Sequence, residues 1–195
     1  MKMTKFEKRF IVRPGHTARV VDSLKKLLPY MEFSEGRKLL EVGCADGAAS
    51  RFFAAEHHLD VTGIDVDPEL IRIARESSVG VPSLRFMVVD AASLPFQDNR
   101  FDIVLSSMVM HHVSRWATAM KEIRRVLKPG GNFIFIDLLT SRCLAGVARL
   151  FCRNYGVITK SALKACLEEG GLSTLHSSTA GLLIYYHKAV YQRNV

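Results

Sequence analysis

The sequence predicts an α/β protein: a doubly wound, mostly parallel sheet of seven strands that ends in an antiparallel hairpin. Three observations carry this. Short apolar runs alternate with segments of helical period, the pattern of a parallel sheet covered on both faces. A small-residue turn, Gly43 to Gly47, stands between the first run and the helix-like segment after it. The last two runs are joined by a short Gly-containing connection, whereas a parallel pair needs a crossover of about a dozen residues. The 195 residues suit one domain, large enough to bury roughly 70% of its unfolded surface without staples.

Each element has its own signal. Thr17 to Leu28 reads as a helix, and strand one is Lys38–Val42. After the turn, Ala48–His57 reads as a helix, and strand two is Asp60–Asp65. Pro68 suits the first turn of the next helix, and Asp67 before it suits an N-cap. Strand three is Leu84–Val89 and strand four Phe101–Ser106, with Asp102 reading as a turn residue at its entry. Trp116, Met120, Ile123 and Leu127 fall on one helical face. Pro129-Gly130-Gly131 closes that helix, and Asn132–Leu139 is a fifth, buried strand. A helix near Ser161–Glu169 stops at Gly170-Gly171, and the hairpin Leu172–Ser178 with Leu182–Val190 follows.

Charge is distributed unevenly about a net of +8. Residues 1–38 hold ten basic and four acidic side chains, residues 39–138 ten and thirteen, and residues 139–195 seven and two. Basic ends around an acidic middle favour an anionic partner: an acidic small molecule, RNA or a membrane surface. The charged opening Met1–Phe10 has no apolar core of a signal peptide, and runs such as Phe133–Ile136 and Gly181–Tyr186 are too short to span a bilayer. Cys44, Cys143, Cys152 and Cys166 lack C-x-x-C spacing. They read as scattered thiols rather than metal ligands with His176 or His187, and no disulfide partner is expected. The expectation is a reduced, cytoplasmic protein.

The chemistry concentrates at the carboxyl ends of the strands, where open α/β sheets bind ligands. Gly43 and Gly47 let the backbone turn tightly beside a ligand. Asp65, 22 residues after Gly43, stands where a ribose-binding carboxylate is expected, and Asp90 follows strand three. A dinucleotide fingerprint would need Ala45 where the backbone must approach a pyrophosphate, which disfavours an NAD-linked oxidoreductase. No G-K-[ST] follows, which excludes a P-loop. Glu41 repels a diphosphate but accepts from an ammonium group. A ligand with an amino-acid end, a ribose and an adenine suits these acids, and S-adenosylmethionine has all three.

Glu41-x-Gly43-x-Ala45-x-Gly47 resembles motif I of the class I S-adenosylmethionine-dependent methyltransferases, in which glycine is usual at the position of Ala45. Gly63-Ile64-Asp65-Val66-Asp67 resembles their ribose-binding strand end. Val89-Asp90-Ala91-Ala92-x-Leu94-Pro95-Phe96, then Phe101-Asp102-Ile103-Val104, His111-His112-Val113 and Glu122 to Gly131 resemble the ubiquinone/menaquinone-biosynthesis-like branch. The match runs in family order from Leu39 to Phe135. The resemblance implies a Rossmann-like methyltransferase fold, with residues 1–195 as one domain and the basic, helical residues 1–37 capping the cleft. It implies that the backbone of Gly43, Cys44, Ala45 and Gly47 cradles the cofactor's methionine part, with Glu41 nearby. Asp65 would hold the ribose, and Val66, Asp90 and Ala91 the adenine. Ser106 would face the reactive end.

Methyl transfer from a sulfonium needs no metal, and needs a base only where the nucleophile carries a proton. His111 and His112, just past strand four, are the candidate bases; the alternative is that one packs on the sheet edge and the other caps a turn. Ser106-Ser107-Met108-Val109 lacks the Asn/Asp-Pro-Pro-aromatic run of exocyclic-amine methylases and the Pro-Cys pair of cytosine-carbon methylases. What remains is a small-molecule acceptor, anionic or amphipathic, or an RNA wobble base; a non-catalytic cofactor-binding partner subunit is a further alternative. Arg9, Arg13, His16 and Arg19 form one basic segment beside the cleft. Residues 142–153 form another, amphipathic at helical spacing, which reads as a lid or packing helix or as a membrane-surface helix.

Overall fold

A computed structural model describes residues 14–151 and 155–195. The elements in chain order are α1 (Pro14–Lys25), a 3-10 turn at Leu28–Tyr30, β1 (Lys38–Val42), α2 (Ala48–His57), β2 (Asp60–Asp65) and α3 (Pro68–Glu76). They continue with β3 (Leu84–Val88), β4 (Phe101–Ser107), a 3-10 turn at Met110–His112, α4 (Trp116–Val126) and β5 (Leu127–Thr140). The chain then forms α5 (Arg142–Phe151), α6 (Lys160–Glu169), β6 (Leu172–Ala180) and β7 (Ile184–Arg193).

The strands form one sheet in the order β3-β2-β1-β4-β5-β7-β6. β1 to β5 pair in parallel, while β7 runs antiparallel to both β5 and β6. The expected hairpin is therefore present, with its second strand inserted against β5 and its first left at the edge.

Alternation along the central strands divides the core between two faces. Leu40, Val42, Val104, Phe133 and Phe135 pack with Met120 and Ile123 of α4 and Leu163 and Leu167 of α6. Leu39, Ile103, Leu105, Ile134 and Ile136 pack with Leu24 of α1 and Phe52 and Phe53 of α2. Cys44, Ile71, Ala74 and Phe86 seat α3 against β3. Both faces are covered, which is why the strands read as near-continuous apolar runs. Among the described residues no helix is long and apolar enough to cross a membrane.

Two local expectations are corrected. Pro129-Gly130-Gly131 does not separate α4 from β5: the strand begins at Leu127 and the triplet lies in a bulge. The register steps from Phe101↔Leu127 to Ile103↔Asn132, and a bulge tolerates a proline that has no amide to donate. Asp102 is not a turn residue. It lies within β4, where it accepts from Lys128 Nζ at 2.7 Å and the Lys38 amide at 2.9 Å. Burial pushes its carboxyl up, but Lys128 and the Lys38 amide outweigh that and hold it below the usual range.

The loop from Asp90 to Asp98 is pinned by one guanidinium. Arg125 donates to the carbonyls of Leu94 and Phe96, to Asp98 and to Glu122 at 2.7–3.0 Å, while Glu122 accepts the Leu94 amide at 2.8 Å. A planar fork with five donors can hold this loop in a way that a lysine cannot.

Candidate active site

The parallel register places the ends of β1, β2 and β4 side by side, with Val42 opposite both Ile64 and Ser106. The chain reverses after β1 through a turn that needs left-handed backbone: φ is +73° at Gly43, +48° at Ala45 and +75° at Gly47. A Cβ on Gly43 would lie 2.2 Å from Cγ2 of Val109, so nothing larger than glycine fits without moving the loop after β4. Ala45 tolerates its conformation at a cost of about 1–2 kcal/mol. Ala45→Gly is therefore expected to stabilise the protein by up to about 1 kcal/mol in urea denaturation, net of glycine's extra chain entropy. A loss of stability would refute the strain.

Asp65 ends β2 with both oxygens directed by backbone. Oδ2 accepts from the Ala45 amide at 3.1 Å and Oδ1 from the Asp67 amide at 2.9 Å. Each oxygen keeps a second lone pair for a hydroxyl. Burial raises its carboxyl above the usual range, against those amides, which pull it down. Val66 beside it is 50% exposed, an apolar ledge for a flat ring. Asp67 caps α3 by accepting from the Glu69 amide at 2.9 Å.

Glu41 is buried on β1 and accepts from Ser50 Oγ at 2.5 Å. Burial drives its carboxyl from 4.5 to about 8, opposed by Ser50 and assisted by Asp46. Cys44 turns its side chain into the cluster with Ile71, Ala74 and Phe86, so only its backbone faces the turn. Burial pushes that thiol up, as do the neighbouring Glu41 and Asp65.

Asp90 accepts from the Ala92 amide at 2.8 Å and pairs with Arg115 at 2.7 Å, a partner not foreseen from sequence. Ala91 is buried beside it. Ser106 is fully buried, and its hydroxyl and that of Ser107 have no hydrogen-bond partner. Buried hydroxyls are ordinarily paired, and as strand neighbours these two project to opposite faces of the sheet.

The loop after β4 holds a residue that the sequence reading passed over. Asp137 on β5 is fully buried and accepts from the amides of Val109 (3.2 Å), Met110 (2.7 Å) and Leu138 (2.7 Å). Its Oδ1 lies 2.5 Å from Nδ1 of His111. A carboxylate already accepting from three amides also accepts a hydrogen bond from Nδ1–H, the tautomer that in the neutral ring leaves Nε2 of His111 as an acceptor. The His112 ring lies 4.0 Å from that of His111 and 5.6 Å from that of Tyr155. The signal was available: one acid inside Phe133-Ile134-Phe135-Ile136-Asp137-Leu138-Leu139 must be paired if the strand is buried.

The turn, the acids at the ends of β1 and β2, the half-exposed ledge and the buried Ser106 hydroxyl suit the chemistry of S-adenosylmethionine. Residues 40–135 match a family model described as a methyltransferase domain. The chain therefore carries a domain of the methyltransferase family over residues 40–135, just under half of its length. It is 37% identical over 102 residues to the 2-methyl-6-phytyl-1,4-hydroquinone methyltransferase of Synechocystis, covering 52% of this chain and 32% of that protein. It is 32% identical over 115 residues to the demethylmenaquinone methyltransferase of Staphylococcus haemolyticus, covering 58% of this chain and 48% of that protein. The chain thus spans less than half the length of these curated relatives. A crystal structure of a protein from Pyrococcus horikoshii superposes with a TM-score of 0.73 at 25% identity, covering 94% of this chain and 93% of that one.

The basic segments are placed in part. Arg9, Arg13, Cys152 and Arg153 lie outside the described residues, as does the side chain of His16. Arg19 is exposed and donates to the Gly15 carbonyl at 2.9 Å. The expected amphipathic stretch forms α5. His187 bonds to Thr179 at 2.7 Å and Tyr191 at 2.9 Å, and His176 stacks on Tyr30 with ring centroids 3.7 Å apart.

Proposed function

We propose that the chain transfers a methyl group from S-adenosylmethionine to a small-molecule acceptor, anionic or amphipathic, whose attacking atom carries a proton. The observation that supports this best is the set Glu41, Asp65 and Ser106 at the carboxyl ends of three adjacent strands. Asp65 would accept from both ribose hydroxyls, and Val66, Asp90 and Ala91 would border the adenine. The backbone of Gly43, Cys44, Ala45 and Gly47 would carry the methionine part, with Glu41 near its ammonium group. When bound, the cofactor supplies a methyl group already activated on a sulfonium.

The chain's own task at the other half of the site is to orient the acceptor and take its proton. His111, held by Asp137 in one tautomer, presents Nε2 for that proton. A phenolic hydroxyl, with a pKa of about 10, is the kind of group that gains from it. The names of the two relatives, a hydroquinone and a menaquinone methyltransferase, agree with an acceptor of that class. The reading takes residues 1–195 as one domain, with the first 37 bordering the cleft. It places the work in the cytoplasm, because the cysteines lack disulfide spacing.

Titration calorimetry with S-adenosylhomocysteine tests the proposal. The wild type is expected to bind, and Asp65→Ala to bind at least about 10-fold more weakly, as loss of charge-assisted hydrogen bonds implies. No heat from the wild type, or equal affinity in the variant, would sink it.

A further inference from the structure

The hairpin between β6 and β7 turns at Gly181 (φ +118°) and presents three large aliphatic residues in succession. Leu182, Leu183 and Ile184 are 83%, 51% and 56% exposed. Three large aliphatic side chains exposed in succession form an apolar patch of the kind that marks an interaction surface. The tip is joined to the acceptor half of the site by backbone. The Leu183 carbonyl accepts from Ser141 at 2.8 Å, Thr140 donates to Ile158 at 2.7 Å, and Gly156 donates to the His111 carbonyl at 2.9 Å. Tyr155, next to Gly156, is itself exposed.

The charges that flank this tip in sequence have one sign. No acidic side chain occurs between Asp137 and Glu168, and none after Glu169. Arg142, the first residue of α5, and Lys160, the first of α6, are exposed. Thr140 and Thr159 precede them in the segments that bond to the tip. Glu168 and Glu169 lie at the far end of α6, roughly 12–14 Å from Lys160 along the helix. An aliphatic point flanked by cations is complementary to a surface that is negative outside and apolar beneath. Single-stranded RNA instead calls for aromatic stacking platforms, which Leu182, Leu183 and Ile184 do not supply.

We propose that the β6–β7 tip, with Arg142 and Lys160, docks on an anionic lipid bilayer and sets the acceptor half of the cleft at the membrane surface. That the surface delivers an amphipathic acceptor rests on the methyl-transfer reading; the docking itself does not. Co-sedimentation with phosphatidylcholine vesicles, with and without phosphatidylglycerol, measures docking in the absence of cofactor and acceptor. The wild type is expected to favour the anionic vesicles by about 10-fold, with the preference lost in high salt. Leu182→Ser/Leu183→Ser/Ile184→Ser is expected to weaken partitioning by at least about 30-fold. Arg142→Glu/Lys160→Glu should abolish the anionic preference; the triple variant should keep the wild-type melting temperature because its side chains are exposed, while the charge reversal also gives up the contact of Lys160 Nζ with the Tyr185 ring, 3.9 Å from its centroid. Wild-type protein that ignores anionic vesicles, or a triple variant that binds them equally, overturns the proposal. So does a wild-type dimer in sedimentation that the triple variant dissolves, since the tip then covers a second copy. So does RNA that displaces the protein from the vesicles while the triple variant binds RNA unchanged. Vesicle binding without S-adenosylhomocysteine binding would keep the docking and remove the methyl-transfer reading.

Discussion

Asp137→Ala is expected to lower stability by about 3–5 kcal/mol, because one substitution strands several buried donors. The amides of Val109, Met110 and Leu138 and Nδ1 of His111 all lose their acceptor together. Asp137→Asn separates fold from chemistry. It keeps the shape and one oxygen acceptor, so its stability cost should be smaller, about 1–2 kcal/mol. Its amide nitrogen cannot accept, so the His111 tautomer is no longer fixed. With a phenolic acceptor, kcat is then expected to fall by about 100-fold or more, with KM little changed. An acceptor whose nucleophile is already unprotonated should lose far less. Equal losses with both acceptors would mean that Asp137 only shapes the loop.

Glu41 couples acidity, stability and ligand in a way that pH will expose. In the folded protein burial lifts its carboxyl to about 8, whereas the unfolded chain titrates near 4.5. Between those values the unfolded state has released a proton that the folded state keeps. Stability is therefore fullest below about pH 4.5 in this contribution and declines as pH rises towards 8. Glu41→Gln removes the slope, and near pH 8 it should exceed the wild type by about 2–5 kcal/mol in urea denaturation. The same substitution should weaken S-adenosylhomocysteine by about 10-fold, because an arriving ammonium stabilises the ionised carboxylate. Wild-type binding should release protons and tighten as pH climbs towards 8, while the variant's affinity stays flat. Calorimetry in two buffers of different ionisation enthalpy counts those protons. A wild type that releases none would refute the coupling.

The strands and helices around the site were legible because each is punctuated locally. β1, α2 and β2 fall on Lys38–Val42, Ala48–His57 and Asp60–Asp65 as read, bounded by the glycine turn and the short loop before Asp60. Asp67 as a cap was readable for the same reason, since its partner is two residues away. What escaped was long-range. Apart from the adjacent Leu138 amide, the partners of Asp137 stand 26 to 28 residues earlier in sequence, and nothing local in β5 names them. Asp102 looked like a turn residue because its ties to Lys38 and Lys128 span 64 and 26 residues. The hairpin was visible from its short connection, but which of its strands meets β5 is decided by packing across the whole sheet. The proton on Glu41 was hidden too, because burial on all sides is a property of the fold and not of the motif.

Gly43 and Val109 meet with no side chain between them, one from the turn after β1 and one from the loop after β4. If the proposed methyl transfer holds, the cofactor half and the acceptor half of the site share a single wall. Substitutions on its two sides will not add, as expected for residues in direct contact. Over evolutionary time this restricts where a new acceptor can be accommodated. A lineage changing its substrate cannot enlarge position 109 without disturbing the grip on the methyl donor.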